Sequence, residues 1–442
     1  MYYGRKVFFS LKELMRILDR PEWGYGLCKL GVKRMSYNIV EKLKRINVLV
    51  VGDFMVDIYV RGQVTRISPE APVPIINVTE TDYRLGGAGN VANNIVSLGG
   101  KPVILTCIGR DQEGAILLDR LNEIDCDMQY IGQYENISTI CKIRVVSDNK
   151  QFLRIDKGEK NPVLDEYVEY VRRCIDQIFN GIDIVVISDY DKGVISAEFV
   201  HIIIQYAKSR NIPTIVDPKG KDYDKYEGAT ICTPNMEELS VVTGYNAITE
   251  ENIALCANML LKKGIQNILI TRSDKGMTLI TKDNKSHFPI VAKEVVDVTG
   301  AGDTVVAMLA IAMGSGLPVN DCCVIANQAA SIVVQKFGTA TVSLQELKKL
   351  NDTDIYSRKL VTINDIISIR DSLQKKGKII VFTNGCFDLL HAGHLELLQR
   401  AKSYGDVLVV GLNSDQSIKR IKGEKRPIVN ECDRAVMLSG LE

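Results

Sequence analysis

Ile46-Asn47-Val48-Leu49-Val50-Val51-Gly52-Asp53 is an apolar run that stops on a glycine and a carboxylate. A strand buried on both faces reads this way, because a parallel sheet covered by helices leaves no wet face to alternate with. Comparable runs recur at Pro102–Ile108, Ile184–Asp189, Thr214–Asp217 and Asn267–Thr271. Amphipathic segments lie between most of them. Asp165 to Phe179 places Val168, Val171, Ile175 and Ile178 on one helical face. Alternating strands and helices predict an α/β fold with a doubly wound parallel sheet. Such sheets hold ligands at the carboxyl ends of their strands, where Asp53, Asp189 and Asp217 all fall.

Two stretches break the rhythm. Residues 58–85 and 128–156 alternate like exposed strands and carry prolines suited to a sheet edge, which predicts a small β lid over the active end. After Val342 the chain turns polar and helical, and a new apolar strand begins at Lys378-Ile-Ile-Val-Phe-Thr-Asn384. The expected organisation is an extension at 1–34, a first domain at 35–345, a linker at 346–377 and a second α/β unit at 378–442. The extension lacks both a continuous apolar core and a small-residue cleavage site, so it does not read as a secretory signal, and Met35 reads as the natural start.

The 442 residues carry a net charge of +1, so no basic field for nucleic acid and no polybasic membrane patch is expected. No apolar run reaches the roughly 18 residues of a membrane-spanning helix. Eleven cysteines without Cys-x-x-Cys spacing fit a reducing, cytoplasmic compartment.

Asp297-Val298-Thr299-Gly300-Ala301-Gly302-Asp303-Thr304 opens an almost wholly apolar helix. Its glycines let backbone N–H groups approach a phosphate, and the positive helix end favours developing negative charge. The same dipole is expected to keep Asp303 ionised, as a base that takes the proton of an attacking hydroxyl requires. The plain alternative is a glycine turn with an acidic cap. Asn235-Met236-Glu237-Glu238 opens another helix, and its last carboxylate suits Mg²⁺ on triphosphate oxygens; the alternative is a capping box. Leu85-Gly86-Gly87-Ala88-Gly89-Asn90 is a third glycine-rich helix start, suited to sugar hydroxyls.

Together these segments resemble the ribokinase-like (PfkB) carbohydrate kinases over roughly residues 46–345. Arg66-Ile-Ser-Pro-Glu-Ala-Pro-Val-Pro74, Ser188-Asp-Tyr-Asp-Lys-Gly193 and Asp217-Pro-Lys-Gly220 narrow the likeness to the D-glycero-β-D-manno-heptose 7-phosphate kinase branch. The resemblance implies ATP-dependent phosphorylation of the anomeric hydroxyl, with Asp303 as base and Thr299, Gly300, Ala301 and Gly302 as the anion hole. It implies Asn235 to Glu238 on ATP and Mg²⁺, and Asp57, Gly86, Gly87 and Asn90 on the sugar. Lys192 and Lys219 are candidates for the substrate's own phosphate, or else ordinary solvated loop charges. A homodimer through the lids is implied by the same resemblance.

The second unit carries Asn384-Gly385-Cys386-Phe387-Asp388-Leu-Leu-His391-Ala-Gly-His394, which holds two of only four histidines. Three-residue spacing puts both imidazoles on one face of a helix start, where they can donate to nucleotide phosphates. A metal site with Cys386 or Asp388 as third ligand, or plain structural histidines, are the alternatives. With Asn413 and the basic stretch around Arg420, the segment resembles the cytidylyltransferase-like nucleotidyltransferases, a partial Rossmann-like domain. Both domains in this order are similar to the bifunctional heptose 7-phosphate kinase and heptose 1-phosphate adenylyltransferase family. That family's product, ADP-heptose, serves the lipopolysaccharide core, and a separate phosphatase acts between its two steps. The later segments of the family's second domain do not follow, so kinase activity without ADP-heptose formation is expected. The remaining rivals are a kinase for another sugar phosphate and a non-catalytic nucleotide-binding protein.

Overall fold

A computed structural model describes residues 36–441 apart from 148–149, 159, 161, 291–294, 337, 353–358 and 360–362. The 1–34 extension and the Met35 start therefore lie outside the described residues. Two compact units appear, Asn38–Lys349 and a second that includes Leu350–Glu442.

The larger unit contains, in chain order, β1 (Asn47–Gly52), β2 (Phe54–Ile67), β3 (Pro74–Gly87), β4 (Lys101–Gly109), β5 (Asp127–Tyr134), β6 (Ile140–Ser147), β7 (Lys150–Lys157), β8 (Ile184–Ser188), β9 (Thr214–Asp217), β10 (Ile231–Cys232), β11 (Asn267–Thr271), β12 (Met277–Thr281) and β13 (Lys285–Phe288). Nine of them form one sheet in the order β13-β12-β11-β10-β9-β8-β1-β4-β5. It is parallel from β11 to β5, and β12 and β13 add an antiparallel edge. β1 lies centrally, between β4 and β8. Its alternate side chains feed two cores: Val48 and Val50 pack with helices Ala88–Ser97, Ala301–Gly314 and Val319–Val333, while Leu49 and Val51 pack with helices Asp165–Ile178, Ala197–Ser209 and Glu250–Lys262. Helix Ala301–Gly314 is buried from Asp303 to Met313. Its all-round apolar sequence admits no solvent face, which fixes Asp303 at the inner end of the sheet.

The lid is a four-stranded sheet, β3-β2-β6-β7. β2 and β3 form an antiparallel hairpin, and the Arg66–Pro74 segment makes its exposed tip. Residues 128–134 depart from expectation: they lie in β5, parallel to β4 at the edge of the main sheet, and not in the lid. An edge strand with one covered face alternates like a lid strand, so periodicity alone cannot say which sheet it joins. Tyr130 turns inward there, and its carbonyl accepts a bond from Tyr167 Oη at 2.7 Å.

In the second unit β14 (Ile380–Gly385) pairs in parallel with β15 (Val407–Leu412), and helix Ala392–Lys402 connects them. Helix Ile363–Lys375 falls within the stretch read as a linker.

Candidate active site

Asp303 is the third residue of helix Ala301–Gly314 and is 8% exposed. Asn90 Nδ2 donates to its Oδ2 at 2.6 Å, and Tyr190 Oη donates to its Oδ1 at 2.7 Å. Burial pushes the carboxyl above the usual carboxylate range, against these two donors, which favour the charged form. Burial thus opposes the charged form that the helix end is expected to favour, while both donors support it. A raised carboxyl closer to working pH is a better proton acceptor.

Asn90 reaches Asp303 from the first turn of helix Ala88–Ser97. The two helices are stitched again one turn on, where Thr304 Oγ1 donates to Asn94 Oδ1 at 3.0 Å. Gly300 caps the Asp303 helix with φ 78°, and a Cβ on it would lie 2.9 Å from Asn90 Nδ2. Glycine is required there twice over, for its dihedral and for the close approach. Asp297 shapes the preceding turn, with Thr299 N and Thr299 Oγ1 donating to Oδ1 and Gly338 N to Oδ2.

A cleft of about 240 Å³ opens in front of Asp303. Its lining includes Gly300, Gly302, Asp217, Lys219, Asn235 and Glu238. Asn235 and Glu238 do form a capping box, Asn235 Oδ1 accepting from Glu238 N at 2.8 Å and Glu238 Oε2 from Asn235 N at 3.0 Å. The box also aims Glu238 at the cleft, so the two readings coexist. Thr299 and Ala301 are not among the lining residues, Glu237 is exposed, and Met236 packs on the core. Burial, with Asp303 and Glu238 nearby, pushes Asp217 up to about 8. Crowded carboxylates of this kind suit a cation bridging protein and phosphates, and Mg²⁺ needs only one or two protein carboxylates.

At the lid side, Asp57 on β2 is paired through Oδ1 with Arg144 Nη1 at 2.6 Å. Gly86 leaves room for that carboxylate, since a Cβ would meet Asp57 Oδ2 at 2.8 Å. Gly87, with φ 56°, joins the lid to helix Ala88–Ser97. Lys142 on β6 is the register partner of Asp57, and Arg144 that of Tyr59. Lys192 donates its backbone N–H to Asp53. Lys219, the other phosphate candidate, lines the cleft and donates from Nζ to Glu238 Oε1 at 2.7 Å. Its length lets it fold back onto the Glu238 carboxylate, a pairing that sequence does not reveal.

Three neighbours of the site were not assigned from sequence. Tyr190 lies in the quoted Ser188–Gly193 segment, but only the fold brings its phenol to Asp303. Lys142 and Arg144 sit two apart on a strand, which a reader of alternation takes for ordinary exposed positions.

In the second unit, Asn384 and Gly385 end β14, and Gly385 O accepts from Asn413 N at 3.1 Å. His391 caps helix Ala392–Lys402, and its ring stacks on His394 with centroids 3.9 Å apart. Burial, with His391 beside it, lowers the pKa of His394, which favours the neutral imidazole. Asp388 is committed to Arg426 Nη1, Ile428 N and Val429 N, so it is no third metal ligand. No cluster of three metal-ligating side chains occurs among the described residues. Arg420 is exposed on helix Asp415–Lys422.

Residues 45–347 match the pfkB family carbohydrate kinase model, and residues 382–442 match the cytidylyltransferase-like model. The chain is similar to the bifunctional protein HldE of Geobacter metallireducens, 43% identical over 404 residues, covering 90% of this chain and 82% of that protein. HldE of Rhodospirillum rubrum is 42% identical over 409 residues, covering 91% and 82%. Among solved structures, Arabidopsis thaliana ribokinase complexed with ribose and ATP aligns with TM-score 0.57 and 24% identity, covering 70% of this chain and 99% of that one. Escherichia coli phosphofructokinase-2 in complex with potassium aligns with TM-score 0.59 and 19% identity over 70% and 98%. These structural likenesses speak to the fold.

Proposed function

Because the chain belongs to the pfkB carbohydrate kinases, in the two-domain form of the bifunctional HldE proteins, we propose that its larger unit phosphorylates D-glycero-β-D-manno-heptose 7-phosphate on the anomeric hydroxyl. The observation that carries this reading is Asp303, held at a helix N-terminus with one donor on each oxygen. The anomeric O–H gives its proton to Asp303 as its oxygen attacks the γ-phosphorus of ATP. The bond from that phosphorus to the β–γ bridging oxygen breaks, and ADP leaves with the electron pair. Negative charge on the moving phosphoryl faces the glycine turn Gly300–Gly302 and the positive helix end. Glu238, with Asp217 nearby, would hold Mg²⁺, which neutralises triphosphate charge.

The test is a substrate panel with ATP and Mg²⁺, read by mass spectrometry and NMR for a 1,7-bisphosphate. Heptose 7-phosphate is expected to give the highest kcat/KM. A hexose phosphate turned over faster would transfer the reading to the rival sugar.

Proton transfer to Asp303 requires its charged form, so turnover falls as pH drops through its raised pKa. Tyr190→Phe removes a donor that favours that form, and the acid limb of the kcat–pH profile is expected to move to higher pH. On that limb the loss is about tenfold, from the strength of a hydrogen bond to a charged group. An unmoved limb would show that the phenol does not tune the base.

For the smaller unit we read transfer of AMP from ATP to heptose 1-phosphate, with Asn384, Gly385, His391, His394, Asn413 and Arg420 about the nucleotide. Heptose 1-phosphate, ATP and Mg²⁺ given to the full chain should yield ADP-heptose and pyrophosphate. Their absence would leave a kinase alone, as the sequence reading expected. A lid-to-lid homodimer accords with Phe152, Leu153 and Ile155, apolar yet exposed on β7. Among the described residues no helix is long and apolar enough to cross a membrane.

A further inference from the structure

One buried hydroxyl touches two of the loops that line the cleft. Tyr226 ends a short 3₁₀ turn, Asp224–Tyr226, between β9 and β10, and is wholly buried. Its Oη donates to Asp189 Oδ2 at 2.6 Å and accepts from Lys219 N at 3.3 Å. The single proton goes to the nearer, charged oxygen rather than to Lys219 O at 3.4 Å. Asp189 precedes Tyr190, whose phenol holds Asp303, and Lys219 carries the ammonium that meets Glu238. Asp189, Tyr190, Asp217 and Lys219 all line the cleft in front of Asp303.

Neither packing nor charge balance requires that hydroxyl. The Tyr226 ring sits in the core edge-on to Tyr223, with centroids 5.4 Å apart, where a phenylalanine would serve as well. The Asp189 charge is already matched by Lys225, whose Nζ lies 2.5 Å from Oδ2, the side chains being 0% and 10% exposed. Asp189 Oδ1 is also occupied, by Asp191 N at 2.7 Å. What the hydroxyl adds is the bridge between the loops, beside one backbone bond from Asp189 N to Asp217 O at 3.0 Å. Phosphoryl transfer is sensitive to such bridges, because a misplacement of about 1 Å can cost about 100-fold in rate.

We infer that Tyr226 is a positioning residue whose hydroxyl fastens the loop bearing Tyr190 to the loop bearing Lys219, so that the base and the Glu238 carboxylate are set together. It touches no reacting atom and acts through Asp189 and Lys219. Its effect on turnover rests on the reading of Asp303 as base and of Glu238 as the carboxylate toward Mg²⁺.

The experiment takes the full chain with Tyr226→Phe, Tyr190→Phe, Lys219→Met and the two double variants that add Tyr226→Phe to each of the others. Folding is checked by circular dichroism and is expected to survive in Tyr226→Phe, which keeps the ring and the Lys225–Asp189 pair. Hydrogen exchange read by mass spectrometry needs no turnover. In Tyr226→Phe it should quicken at least about threefold in both 189–193 and 217–220 and stay unchanged in β1, as one lost hydrogen bond implies. On the acid limb kcat should fall about threefold to tenfold, and the KM for Mg·ATP should rise by a similar factor. Tyr190, Asp57, Lys142 and Asp217 are the titratable groups that bear on Asp303, and all remain in Tyr226→Phe, so a moved limb reports the loop. In the double variants Tyr226→Phe should add little to the limb shift of Tyr190→Phe or to the KM rise of Lys219→Met, since each pair shares one network. Lower melting with an unmoved limb and unchanged KM, or quickened exchange in one loop alone, would overturn the inference and leave Tyr226 a packing role. Exchange that quickens in both loops of a chain whose Asp303→Asn variant still turns over would support the bridge and refute the base, which separates the two failures.

Discussion

Asp303→Asn is expected to lower kinase turnover by about three orders of magnitude, within the 10²- to 10⁴-fold range of a lost general base. The substitution preserves shape. An amide oxygen turned toward Asn90 still accepts its Nδ2 hydrogen bond, and an amide NH₂ turned toward Tyr190 meets a phenolic oxygen that can accept in return. Folding should therefore survive, helped by the eleven buried residues of that helix. What is lost is the ability to take a proton. ATP affinity should hold or tighten slightly, since one negative charge leaves the neighbourhood of the triphosphate. Single-turnover kinetics and nucleotide titration separate these effects. A fall of less than about tenfold would remove Asp303 from the role of base.

The parts of this site that sequence exposed are those whose chemistry is local. A strand that ends in Gly-Asp, a glycine turn before an apolar helix and an Asn-x-x-Glu helix start each announce themselves within ten residues. The Asp303 helix was readable for a further reason: a segment apolar on every side must be buried, so its first turn must face the interior. What stayed hidden depends on contacts between distant segments. Arg144 lies 87 residues from Asp57, and Tyr190 lies 113 residues from Asp303. Lys219 was legible from its loop, but its pairing with a carboxylate on another element was not. The assignment of residues 128–134 to the lid failed because an edge strand and a lid strand share one period. His391 and His394 lay close together at the helix start, yet only burial distinguishes His394, whose pKa it lowers, from its exposed neighbour.

The second large effect is expected from Asp53→Ala. Asp53 closes β1 and is 1% exposed. Its Oδ2 accepts from Tyr190 N at 2.9 Å and Lys192 N at 3.0 Å, and its Oδ1 from Val194 N at 3.1 Å. Its own N–H donates to Ser188 O, and its carbonyl accepts from Ala88 N. One residue thus fastens the loop bearing Tyr190 and Lys192 to the sheet and to the start of the Asn90 helix. Alanine removes the acceptor and leaves three amides without a partner, at about 1–3 kcal/mol each. Against this, the variant no longer buries a carboxyl group whose pKa desolvation and Asp189 raise. Three orphaned donors outweigh one relieved desolvation, and a net destabilisation of about 3 kcal/mol is expected, within the upper range for point substitutions. Kinase turnover should fall further than stability alone requires, because Tyr190 would be released from Asp303 while the Asn235–Glu238 capping box, beyond another strand end, is untouched by the change. Asp53→Asn retains one oxygen and should fall between the two. Thermal melting, turnover and ATP affinity measured together decide the matter: unchanged turnover in a folded Asp53→Ala chain would show that the loop is held in place by other contacts, and that Tyr190 reaches Asp303 without this clamp.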